Sequence, residues 1–435
     1  MLASPAASER PASAGWWQRL TSRLTPAVRW RLGVAGVLLG LAFVALALAR
    51  PHLRAWYHYR AARAELQRYH NPQAIRHLRI CRDIWPRDPD VLLLAARAAR
   101  RARVYGDSER LLWMYRDIRG RDDALAFEQL LLAAERRLDE VADQCWQYVE
   151  EDRFDAPLLL EALTRGYFQQ YRLGQARLCL DRWRQIQPDN PQALYLEGLF
   201  LFDYLHARSA AVDSYRRAVE LDPDHEEARL GLAVALLHGK SFAPAAEQFE
   251  RLRQCQPDNA RVQVGLAECR DGLGESAEAV RLVDEILARQ PESTAALSLR
   301  GQLALKDGQS VEAESWLRHA LRRNPMDHRA RYSLVLCLEQ TGQNEEARRE
   351  QRQLQQMEDD ASRFHEIVTK EIAQRPTDPA LHCTLGELLW RGGQREESIR
   401  WLRSALRLDP RYEPAQQALA EYRRQAQRKA PPSSP

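Results

Sequence analysis

Lysine is nearly missing from this chain: only Lys240, Lys306, Lys370 and Lys429 occur among its 64 basic residues. Arginine and alanine in such excess reflect a GC-rich coding sequence and carry no functional weight. Cysteine is sparse as well. The seven residues Cys81, Cys145, Cys179, Cys255, Cys269, Cys337 and Cys383 contain no CxxC pair. That excludes a zinc ribbon and a thioredoxin-like redox motif, and an odd, scattered number is no disulfide framework. Their helical spacing predicts small, buried apolar side chains. Charge of one sign is also scarce, because 60 acidic residues leave a net +4, which argues against a general binder of polyanions such as nucleic acid. Aromatic residues make up 8% of the chain and the mean hydropathy is −0.55, which excludes a multispanning membrane protein. With 45% apolar residues over 435 positions, the chain is equally unlike a disordered one.

Catalytic signatures are missing too. Gly239-Lys240-Ser241 has the ending of a phosphate-binding loop, but Val234 stands where the required glycine should be, five residues before Gly239. There is no HExxH, no GxSxG and no glycine-rich dinucleotide turn. His225-Glu226-Glu227 follows Pro223 and reads as a helix-capping, solvated segment rather than a metal site. No catalytic residue, cofactor, metal or small-molecule substrate is therefore predicted.

One long apolar run is present. Leu32 to Ala49 holds eighteen residues without a charge, which as a helix spans about 27 Å, close to a hydrocarbon core of about 30 Å. Arg29 and Arg31 precede it and Arg50 and Arg54 follow, with Trp30, Trp56 and Tyr57 at the headgroup levels. This reads as a single transmembrane helix at 32–49 behind a basic tail at 1–31. Ala47-Leu48-Ala49 also fits a signal-peptidase site, although the run is longer than an ordinary signal core and Pro51 lies just beyond the bond. Arginine counts on the two sides tie. The tail, with five arginines against Glu9 alone, favours an inside tail and a C-terminal part outside the cytoplasm.

The remainder is periodic. Prolines at 188, 223, 257, 291, 325, 376 and 410 are separated by 35, 34, 34, 34, 51 and 34 residues. Local spelling repeats around them: IQPDNPQA, LDPDHEEA, CQPDNARV, RQPESTAA and LDPRYEPA. Twelve, eight and five residues before each of these prolines except Pro376 stand a small residue and two mostly apolar ones: Ala176, Leu180 and Trp183; Ala211, Tyr215 and Ala218; Ala245, Phe249 and Leu252; Ala279, Val283 and Ile286; Ala313, Leu317 and Ala320; Ser398, Leu402 and Ala405. Steps of four and three put each set on one helical face. Gly198, Ala233, Ala267, Gly301 and Gly386 supply the small residue of a preceding helix, where two helices approach closely.

Several positions recurring together at 34 residues resemble the tetratricopeptide repeat family. The resemblance implies an all-α fold, a right-handed superhelical solenoid of antiparallel helix pairs, that binds proteins or peptides without doing chemistry. Degenerate repeats are expected over 55–156, a well-formed array over 157–358, an inserted helix and linker at 359–378, a last repeat at 379–412, a capping helix at 413–428 and a disordered tail at 429–435. The inserted helix accounts for the interval of 51, one and a half periods.

In that family the first helix of each pair lines a concave groove, which here presents Phe168, Tyr195, Leu199, Phe202, Leu230, Val234 and Leu237 as the candidate surface for an apolar helix or extended segment. The family's clamp for a C-terminal carboxylate is not spelled here, since the corresponding positions are Arg165, Leu199, Val234, Glu268, Gln302, Leu336 and Glu387, without asparagine. Charge is polarised along the array, with a net +6 in residues 55–137 and −8 in residues 138–435. Basic repeats nearest an anionic bilayer fit against it, and acidic distal ones fit a basic partner. The expected function is a membrane-anchored scaffold or adaptor holding protein or peptide partners of an envelope or membrane complex. An accessory, non-catalytic subunit of a membrane enzyme or secretion system is the alternative.

Overall fold

Proline and the polar residue after it decide where each helix stops and the next begins. Asp88 accepts a hydrogen bond from the Val91 amide at 3.0 Å, Asn190 from the amides of Gln192 and Ala193 at 3.0 and 3.1 Å, and Asp327 from Ala330 at 2.9 Å. Each bond satisfies an N–H that the first turn of a helix leaves unpaired. In the computed structural model, which describes residues 26–151 and 155–429, these signals yield helices and connecting turns throughout, with no strand among the described residues. The stretches at 1–25 and 430–435, which include most of the expected basic tail and C-terminal tail, lie outside the described residues. The chain divides into two compact units, residues 1–125 and 126–435.

In the first unit, α1 (Pro26–Gln67) pairs with α2 (Asn71–Ile84), and α3 (Pro89–Arg101) with α4 (Tyr105–Arg119). The apolar run and the first repeat helix are one continuous element, with Pro51 inside it. Every residue from 37 to 50 is exposed. Beyond that, Ala55, Ala62 and Leu66 are buried, as are Ala74, Leu78 and Cys81 on α2. The Arg101 guanidinium donates to the Leu66 carbonyl at 2.7 Å and so ties the second pair to the first.

The second unit holds most of α5 (Asp123–Arg136) with α6 (Leu138–Glu150), then α7 (Ala156–Gln169) with α8 (Leu173–Ile186). Next come α9 (Pro191–Leu199) with α10 (Arg208–Leu221), α11 (Glu226–His238) with α12 (Phe242–Cys255), and α13 (Ala260–Gly272) with α14 (Ser276–Arg289). The series ends with α15 (Thr294–Lys306) and α16 (Ser310–Arg323), α17 (His328–Gln340) and α18 (Asn344–Glu366), α19 (Pro379–Arg391) and α20 (Arg395–Leu408), and the terminal α21 (Glu413–Lys429). All eighteen residues of the twelve–eight–five pattern are at most 3% exposed. First helices of successive pairs also pack on one another, from α9 through α11, α13 and α15 to α17, which places them on the inner side of the curve. Ala415 and Leu419 of α21 cover the last pair beside Leu402 and Ala405.

Close approach explains the small residues. A Cβ on Gly265 would lie 2.3 Å from the Phe249 ring, one on Gly301 2.6 Å from Leu317, and one on Gly166 2.1 Å from the Ala134 carbonyl oxygen. The turn inside every pair except α5–α6 contains a left-handed residue, at Tyr69, Arg103, Tyr171, His206, Lys240, Gly274, Gly308, Gly342 and Gly393. Glycine adopts this conformation freely, whereas other residues there cost about 1–2 kcal/mol.

Two departures from the expected pattern have a common geometry. The 35-residue interval holds a π-helical segment, Phe200–Tyr204, which continues α9 and takes up the one extra residue. The insertion after residue 358 is not a separate helix. Instead, α18 runs on through a π segment, Ile367–Glu371, and a last turn, Ile372–Gln374. Residues 344–374 contain neither proline nor glycine, so nothing in them ends the helix before Pro376.

Candidate partner-binding groove

The seven groove candidates lie on three consecutive first helices: Phe168 on α7, Tyr195 and Leu199 on α9, Phe202 on its π extension, and Leu230, Val234 and Leu237 on α11. Phe168 differs from the rest. Its ring stacks on Phe200 (centroids 6.0 Å apart) and Tyr204 (5.1 Å) and is only 4% exposed, so it is part of an internal aromatic layer and offers no open surface. The sequence spacing missed this because the two stacking partners come from the π segment, whose extra residue turns the following side chains by about 100° relative to a regular helix.

The other six are half-buried. Tyr195 tilts against Tyr215 and His225, with centroids 6.2 and 5.4 Å away. Phe202 meets His238 edge-on at 5.5 Å, which joins the α9 and α11 parts of the strip. Leu230, Val234 and Leu237 have one side on the core that contains Phe249. These residues, on adjacent first helices, make up a strip of partly covered apolar side chains.

Charged groups pair with one another on the next first helices, α13 to α17. Arg329 reaches across two pairs to Glu268 at 2.9 Å, and Lys306 reaches Asp271 at 2.7 Å. Near-complete burial surrounds Arg165 and Glu161, 3.4 Å apart on α7, so the basic side chain at this position faces its own helix neighbour. Burial pushes the Asp203 carboxyl up, against the opposing pull of Arg261 and His206. Burial also pushes His238 down, with Arg329 adding to the effect. Farther along, Gln302, His328, Arg329, Tyr332, Ser333 and Glu358 surround an open depression of about 470 Å³. Tyr332, 51% exposed, is the aromatic group available there. Its place four residues into α17, equivalent to Tyr195 on α9, is a signal the sequence did contain.

A second aromatic group escapes sequence reasoning altogether. Tyr171, in the α7–α8 turn, touches Phe364 edge-on at 5.0 Å and stacks on Trp401 at 5.9 Å. Burial, with Glu397 beside the hydroxyl, pushes its phenol up. No local pattern links residues 230 positions apart.

Helix pairs at a fixed period, with a small-residue seam and an inner face of first helices, define a helical-repeat solenoid. Tetratricopeptide-repeat family models match residues 207–263, 240–303, 317–362 and 379–412. These matched stretches are tetratricopeptide repeats. A TPR repeat-containing protein of Pseudomonas aeruginosa is 28% identical over 208 residues, which cover 47% of this chain and 32% of that one. The interferon-induced protein with tetratricopeptide repeats 3 of Mus musculus is 27% identical over 39% of this chain and 45% of its own. The chain thus spans less than half the length of these relatives. Among solved structures, MamA from Desulfovibrio magneticus RS-1 aligns at a TM-score of 0.36 and 18% identity, over 39% of this chain and 96% of that one. A tetratricopeptide repeat protein from Parabacteroides merdae aligns at 0.35 and 14%, over 66% and 99%.

Proposed function

We propose that this chain is a non-catalytic, membrane-anchored scaffold that holds protein or peptide partners along its inner face, for assembly or stabilisation of an envelope or membrane complex. The observation that carries the membrane part is the continuity of α1. Its exposed apolar stretch passes without a break into the buried face of the first helix pair. An exposed run of this length is costly in water and favourable in lipid. Its rigid continuation means that the first pair starts within a few residues of the bilayer surface. The arginine-rich tail favours placing the array outside the cytoplasm, and a C-terminal reporter active only in the cytoplasm would overturn that orientation.

The partner part rests on the strip from Tyr195 to Leu237, which retains accessible apolar surface on the inside of the curve. The acidic balance of residues 138–435 favours a partner with a basic flank. Capture from detergent extracts by the wild-type protein, compared with Tyr195→Ala combined with Phe202→Ala, tests the assignment. Loss of a discrete captured protein is expected, and an unchanged set of captured proteins would refute the groove.

A further inference from the structure

In the second unit the beginning of the array meets its end. Tyr171 sits between Phe364 of α18 and Trp401 of α20, next to Tyr204 at 6.2 Å. It joins Leu173 in packing on a buried cluster of Ile367, Val368, Leu385 and Trp401. On the rim, Arg400 donates to the Gln169 side chain at 3.2 Å, and Arg407 approaches Asp139 at 4.0 Å. His206 stacks on His365 at 4.8 Å and extends the same seam.

Four features converge here. Both turn residues that reach the seam, Tyr171 and His206, hold φ of +52°, at the position where the pairs from α13 onward place glycine. Backbone strain at these sites is coupled to side chains that cross the seam. The two π segments among the described residues, Phe200–Tyr204 and Ile367–Glu371, both contribute seam residues. Without the insertion, α18 would end before Phe364 and His365, so the extra half-period supplies one wall of the contact. The junction is also lopsided, because the α7–α8 side contributes mainly Tyr171 and Leu173, both only partly buried, to a cluster otherwise built by the C-terminal pairs.

We infer that the Tyr171 seam is a clasp that closes the second unit into a ring, and that the ring opens at this seam to let a partner reach the inner face from the side. The partner clause rests on the groove reading above; the clasp does not, and its test contains no partner.

The full chain in nanodiscs, with the exposed Cys255 replaced (Cys255→Ser), receives nitroxide labels at Leu178 and Arg403, exposed positions on either side of the seam. Wild type is expected to show a short, narrow distance population, Tyr171→Phe to keep it, and Tyr171→Gly to lose it for a longer, broader one at unchanged helicity. Lys240→Gly, the same backbone change at a turn outside the seam, is expected to leave the distances untouched. A wild type without the short population, or a helical Tyr171→Gly that retains it, would overturn the clasp. Hydrogen exchange on unsubstituted protein gives a second reading. Amides of 169–173, 364–371 and 397–401 are expected to exchange together, roughly tenfold faster or more than those of 264–269 inside the array. Equal protection of the two sets would overturn opening at this seam, whatever becomes of the groove.

Discussion

Gly166 offers a sharp test of how the helix pairs are held, because two opposing effects of one methyl group can be compared. Alanine in place of a mid-helix glycine ordinarily stabilises a helix by about 1 kcal/mol. At Gly166 the new Cβ would sit 2.1 Å from the Ala134 carbonyl oxygen and 3.4 Å from a Leu138 methyl. The first contact is more than 1 Å too short, and its partner is backbone in a helix whose Ala134 is fully buried. No side-chain rotation relieves it, so α5 and α7 must separate and lose contacts along their length. Overpacking of this kind costs about 1–3 kcal/mol and more when backbone must move. The helix gain is exceeded, and Gly166→Ala is expected to be destabilising by about 1–2 kcal/mol. Gly174→Ala is the control, since nothing lies within 4 Å of a Cβ there, and it is expected to be neutral or stabilising by up to about 1 kcal/mol. Urea midpoints and thermal scans of the two variants decide the matter, at about 2–4 °C for each kcal/mol. A Gly166→Ala protein as stable as Gly174→Ala would refute the claim that close backbone approach sets the small-residue positions.

Further outcomes follow from other positions. Lys240→Gly removes a left-handed strain of about 1–2 kcal/mol at φ +58° and gives back about 0.4–1 kcal/mol through a freer unfolded chain, so a small rise in urea midpoint is expected. Six of the seven cysteines are buried, and burial pushes Cys145, Cys269 and Cys383 up to about 12 and Cys81 to about 11. A thiol reagent at pH 8 should therefore add one label, at Cys255, by intact mass; several rapid additions would contradict the packing. His382 is held neutral mainly by burial, with its two ring nitrogens 3.0 Å from the Ser404 hydroxyl and 2.9 Å from the Pro376 carbonyl. Its folded pKa lies below the ordinary 6.5, so its contribution is complete above that pH and fades as pH falls through 6.5 towards the folded value. Urea midpoints should drop over that range, and less so in His382→Gln.

The periodic parts of this fold were legible because each repeat is buried by its neighbours. A local spelling of Ala, a large apolar residue and another apolar one, ahead of proline, therefore fixes a core such as Ala245, Phe249 and Leu252. Asn190, Asp327 and Asp378 each cap a helix two residues after the proline that closes the preceding one. What escaped reading depends on contacts outside that one-dimensional logic. The insertion became a longer α18 because no breaker separates it from Asn344. Phe168 was drawn into an aromatic layer by a π turn whose only trace is an interval of 35 in place of 34. Tyr171 meets Trp401 only through the curvature accumulated over the intervening pairs, and curvature leaves no local signature in the sequence.

The central claim, a partner bound along the inner face, is tested most directly by photocrosslinking in intact membranes. A photoreactive residue placed at Phe202 or Val234, on the inner strip, is compared with one at Val311, 81% exposed on the second helix of its pair. The account predicts a discrete protein adduct from Phe202 and Val234 and none from Val311. Adducts of the same protein from all three positions, or from Val311 alone, would contradict it.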